Sequence, residues 1–168
     1  MIIPPIAVSN YAQLLAAESV LAEIKPYRPV DADTGFETWF EGSGVFVCQD
    51  NVTWSQVWDR HIKNESIGNV KVGNLNPAPA VDFNKNLVVA LFAGPTKGVV
   101  GYRVVGGFSF GKEAVLRLAI VRSNSSASAI ALPTPWAFLV LPRTNANVSI
   151  QIPQGDQWAT IGKVKPSL

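Results

Sequence analysis

The sequence predicts a mainly β fold of the α+β class. It is expected to form a single antiparallel β-sandwich or barrel-like domain with one short packed helix, preceded by an N-terminal arm and helix. Three observations carry that expectation. From residue 45 onward, apolar runs of strand length recur between clusters of Gly, Pro, Asn and Ser. One stretch, from Thr53 to about Lys63, instead places its aromatic residues at helical spacing. No heptad or internal repeat is present, and 168 residues suffice for one hydrophobic core without disulfide staples. The chain divides in this reading into an arm, helix and aromatic linker over 1–44 and a β-rich domain over 45–168.

Met1 to Val8 reads as an extended arm, because Pro4 and Pro5 lack amide donors. Ser9 or Asn10, the latter with Gln13 three residues on, is expected to cap a helix whose apolar stripe runs through Tyr11, Leu14, Leu15, Val20, Leu21 and Ile24 until Pro26 stops it. That stripe packs either on the chain's own sheet or on a neighbour. Residues 25–44, KPYRPVDADTGFETWFEGSG, read as a linker or long loop, with Tyr27, Phe36, Trp39 and Phe40 pinning it to a surface.

Val45 to Cys48 is a short strand. Thr53 and Gln56 form a capping box for the following helix, in which Trp54, Val57, Trp58 and His61 share one face. Asn64 to Pro79 is a polar loop. Asn86 to Ala93 is a nearly unbroken apolar run, as expected of a strand covered on both faces. Gly94-Pro95-Thr96-Lys97-Gly98 is a turn from which Val99 to Val105 returns, and these two strands are expected to pair as the hairpin at the centre of the sheet. Ala114 to Arg122 is a strand exposed on one face, since Arg117 and Arg122 interrupt its apolar residues, and SNSSAS after it is a loop. Trp136 to Leu141 is a second buried strand between prolines. Val148 to Ile152 alternates, Gly155 turns, and Trp158 to Val164 closes the sheet at an edge.

Charged residues make up 15% of the chain, against about 25% in ordinary soluble proteins, which points to surface covered by a protein partner or by self-assembly. Fourteen basic and twelve acidic residues, with no basic run, exclude an electrostatic footprint for nucleic acid or anionic lipid. Cys48 is the single cysteine, so no internal disulfide can form. The start, MIIPPIAVSNYAQ, has no basic residue ahead of its apolar part and is broken by proline, unlike a signal peptide or an anchor. No membrane insertion is expected, and the expected location is the cytoplasm or a particle assembled there. The sequons at Asn51, Asn64, Asn124 and Asn147 read as an Asn- and Ser-rich surface.

An enzyme reading would use Cys48 or Asp82 with His61 as a small hydrolase. Cys48, however, ends the apolar strand GVFVC, where a thiol is buried and inert, and His61 shares a face with two tryptophans. Asp82, between Val81 and Phe83, is expected to bond to backbone amides in a turn. One histidine and one cysteine do not make a zinc site, and neither metal nor cofactor is predicted. GPTKG lacks the GxxxxGK[ST] spacing of a phosphate loop. A carbohydrate or small-ligand module would need Trp39, Trp136 or Trp158 to line one groove; no spacing requires it, so a small ligand is not indicated.

The aromatic helix TWSQVWDRH, the prolines before VDF, the apolar strand, the turn into Gly101-Tyr102, a strand pair and PTPWAFLVLPR follow one another in an order that resembles the C-terminal domain of the PrcB family. That family is named for a subunit associated with a surface protease complex. The resemblance covers about residues 45–152, and Val100 stands where the family usually has the first of two glycines before the tyrosine. It implies a non-catalytic domain that supports or stabilises a partner protein, with no active-site residues to carry over. The expected function is therefore a non-enzymatic interaction or assembly subunit whose partner-binding residues are Tyr11, Leu14, Leu21, Tyr27, Phe36, Trp39 and Phe40. The alternatives are a decoration- or cement-type structural subunit of a virus or phage particle, and the hydrolase.

Overall fold

A computed structural model describes residues 24–62, 77–123 and 132–165. The expected arm and N-terminal helix, and most of the loops expected after Ile62 and Ser123, fall outside the described residues, and with them Tyr11, Leu14 and Leu21. The described chain is mainly β: two sheets face each other and one helix packs on the outside of the second. Strands β1 (Lys25–Pro26), β5 (Val99–Phe110), β6 (Glu113–Arg122), β8 (Asn147–Gln154) and β9 (Gln157–Val164) form a five-stranded sheet in the order β1-β5-β6-β8-β9. Strands β2 (Asp31–Gly35), β7 (Trp136–Pro142), β4 (Asn86–Phe92) and β3 (Gly44–Cys48) form a four-stranded sheet in the order β2-β7-β4-β3. The helix, α1, spans Asn51–Ile62.

Strand period decides what each layer buries. Along β4, Leu87, Val89 and Leu91 point between the sheets, while Val88, Ala90 and Phe92 point to the helix layer. β7 divides in the same way: Ala137, Leu139 and Leu141 face the other sheet, and Phe138 faces the helix. These two strands are covered on both sides, as their unbroken apolar runs predict. β6 and β8 are one-sided. They send Ala114, Leu116, Leu118, Val148 and Ile150 into the core and leave Val115, Arg117, Ser149 and Gln151 facing outward.

Four expectations need correction. β4 and β5 do not pair. β4 is already flanked by β3 and β7, so the chain uses Gly94 and Gly98, at φ +70° and +73°, to step across to the opposite sheet. The hairpin that does form is β5–β6, around Gly111 at φ +56°.

Second, the sandwich is not wholly antiparallel. β6 and β8 run parallel from Glu113↔Asn147 to Arg117↔Gln151, because the chain between them crosses to the other sheet to lay down β7.

Third, residues 25–44 are no linker. β1 pairs with β5, β2 pairs with β7 along its whole length, and Tyr27 and Phe40 are buried. A division at Gly44/Val45 would cut through both sheets.

Fourth, the cap of α1 lies three residues before the expected one. Asp50 is the N-cap, its carboxylate accepting from the Thr53 amide at 2.7 Å and from the Thr53 hydroxyl at 3.2 Å.

Candidate interaction site

The helix layer fixes the site. Trp54, Val57 and His61 are buried on one face of α1, and Trp58 packs beside them against Phe138. Trp54 meets Phe138 edge-on at 5.0 Å and donates its indole N–H to the Pro79 carbonyl at 2.9 Å. One residue before the helix ends, His61 lies 4.4 Å from Trp136 and 4.9 Å from Phe138, ring centre to ring centre. Its Nδ1 is 2.8 Å from the Thr38 hydroxyl. Burial pushes the imidazole down to about 4, a shift that nearby Asp33 only partly opposes, so His61 is neutral at neutral pH.

The end of α1 also fixes the backbone of residues 36–40. The His61 carbonyl accepts from the Trp39 amide at 3.0 Å and from the Thr38 hydroxyl at 3.4 Å, which satisfies a carbonyl that the last helical turn cannot. From the other side Thr134 holds the same segment. Its hydroxyl accepts from the Thr38 amide at 3.0 Å, and its amide donates to the Phe36 carbonyl at 2.9 Å. Fastened at both ends, the segment turns its aromatics two ways. Phe40 goes inward, 5% exposed and stacked on Phe92 at 4.1 Å, while Phe36 and Trp39 stay 52% and 64% exposed. Together with Leu132 they wall a groove of about 710 Å³ that also touches His61, Ile62 and Glu37.

The structure thus brings together two of the expected partner-binding residues, Phe36 and Trp39. Tyr27 and Phe40 are corrections. Tyr27 sits in the inter-sheet core at 7% exposure with its amide bonded to Gly107, and Phe40 is held between Phe92 and the Arg60 guanidinium, so neither can meet a partner. Leu132, Thr38 and Thr134 were not singled out from the sequence. The prolines around Thr134 mark only a break before a strand, and nothing local shows that a residue 96 positions away from Thr38 is its partner.

The three residues of the hydrolase reading do not meet in a cleft. Cys48 pairs opposite Val88, whereas His61 packs on Phe92, which is four residues, or ~13 Å of strand, further along β4. The Cys48 thiol is fully buried and pushed up to about 11 by burial and the charge of Asp50, which keeps it protonated. Asp82 caps an exposed turn: its Oδ1 accepts from the Asn84 amide at 3.1 Å, and Lys85 Nζ lies 3.5 Å from Oδ2. Among the described residues no group of three His, Cys, Asp or Glu side chains could hold a metal ion. Nor do the tryptophans share a groove, because Trp158 lies on the five-stranded sheet, away from Trp39 and Trp136. Among the described residues no helix is long and apolar enough to cross a membrane.

No protein-family model, curated protein or solved structure matches this chain.

Proposed function

We propose that this chain is a non-catalytic interaction subunit that docks on a protein body through the groove walled by Phe36, Trp39 and Leu132. The observation that supports this reading is the exposure of two neighbouring aromatics on a backbone clamped by hydrogen bonds from both sides. Large aromatics exposed side by side on a preorganised backbone are the residue types that dominate protein interfaces. The neutral, packed His61 beneath them acts as a spacer that fixes the helix end. The order of motifs, which resembles that of the PrcB C-terminal domain, is in keeping with a domain that supports a protein partner.

The test is a photo-cross-linking residue in place of Trp39, with the same residue in place of the exposed Val52 on α1 as control. A protein adduct specific to position 39 supports docking through the groove. Equal or absent adducts at both positions would remove the reading.

A further inference from the structure

The groove has a chemical counterpart on the same chain. On the outer face of the five-stranded sheet, Arg117 lies over the rings of Trp158, at 4.7 Å, and Phe108, at 5.6 Å, with its Nε donating to Gln151 at 3.3 Å. The strand registers put Arg103 and Lys163 on this same outward face. Val121 and Phe110 complete an apolar surround, at 38% and 43% exposure. At the start of β6 stands Glu113, its carboxylate accepting from the Asn147 amide group at 2.8 Å. Arginine among aromatic and β-branched residues is the composition of an interface core.

The groove carries the opposite sign. Glu37 lines it, Asp33 is close enough to act on His61, and Asp31 lies two residues along the same outward row of β2. The Arg60 guanidinium, over the Phe40 ring, offsets one of these three carboxylates and leaves the acidic side in excess. The two surfaces also sit on opposite sides of the layer stack: one on the outer face of the five-stranded sheet, the other on the helix side of the four-stranded sheet. Unlike surfaces on opposite sides of one subunit suit a head-to-tail contact, which propagates or closes into a ring, and do not suit a two-fold dimer.

We propose that the occupant of the groove is a second copy of this chain, presenting the face around Arg117. This rests on the interaction reading above and names its partner. Sedimentation of the full chain tests it at about 0.01 M and about 1 M salt, between which the screening length falls from ~30 Å to ~3 Å. The expected result is concentration-dependent association that weakens at the higher salt. R103E/R117E and E37K/W39S should each weaken association at least ~10-fold while keeping the wild-type thermal transition. The decisive arm is their mixture. Each variant retains the surface the other lacks, so equal amounts should form a complex of two chains that grows no further.

A wild-type chain that stays monomeric at both salts overturns the proposal, as does a pair of folded variants that ignore each other. In either case an adduct to a different protein from position 39 would leave the interaction reading standing. No adduct at all would remove both.

Discussion

The two sheets differ in what covers their outer faces. Outside the four-stranded sheet, α1 lays down Trp54, Trp58 and His61 on Phe138, Phe92 and Trp136, and aromatic rings meet at 4.4–6.2 Å. Outside the five-stranded sheet no described helix lies, and the same kinds of residue, Phe108 and Trp158, pack instead on the side chain of Arg117. In one case aromatic surface is removed from water by the chain's own fold. In the other a guanidinium shields it only in part, leaving Trp158 and Val121 open. Side-chain packing should therefore contribute more to stability in the helix layer than on the barer face.

Substitutions can break that contrast. Phe138→Ala removes a ring that touches five aromatic neighbours, and should lower the unfolding free energy by about 3–5 kcal/mol in denaturant titration. Phe108→Ala on the other face should cost well under half as much, as expected of a side chain only partly withdrawn from water. Equal losses would mean that the two faces are packed alike.

The next effect is one of pH. His61 has its folded pKa depressed to about 4 from an ordinary 6.5, so between these values the unfolded chain takes up a proton that the folded chain refuses. Stability should be fully present above about pH 6.5 and fall as pH drops toward 4, by up to about 3 kcal/mol. His61→Gln should remove that part of the slope in chemical unfolding measured across the window. A wild-type curve that is flat there would show that the helix end admits a charged imidazole.

Gly107→Ala probes how β1 is docked. An added Cβ would run into the carbonyl oxygens of Tyr27 and Val115, both of them backbone, so nothing flexible can give way. A loss of about 1–3 kcal/mol is expected, with Tyr27 becoming accessible to nitration. An unchanged midpoint would place β1 outside the cooperative fold. The smallest effect should come from Asp50→Ala, which strips the N-cap of α1. Its midpoint should shift slightly downward, and Asp50→Asn should restore it, because an amide oxygen can still accept from Thr53.

Much of the helix layer was legible. The spacing of Trp54, Val57, Trp58 and His61 states which face of α1 is apolar, and the unbroken run of β4 states that it is covered twice. Less of the candidate site could be read. β2, with the sequence DADTG, has almost no strand propensity and forms because β7 offers it a free edge of backbone donors and acceptors. Of four aromatics in one acidic, Pro- and Gly-rich stretch, two are buried and two exposed, although nothing in their immediate sequence distinguishes Tyr27 and Phe40 from Phe36 and Trp39. The Arg117 face was visible only as an interruption in an apolar strand.

By itself, the sequence determined the local geometry: which residues alternate across a strand, which share a helical stripe, and where glycine permits the backbone to turn. These follow from backbone period and sterics, which act over a few residues. Only the tertiary structure decided which sheet each strand joined, that β6 and β8 run parallel, and that the end of α1 meets Thr38 and Trp39. Such pairings are made by hydrogen bonds and apolar contacts between residues tens of positions apart. Several partners of equal local quality compete for them, and the arrangement that buries both faces of β4 and β7 at once prevails.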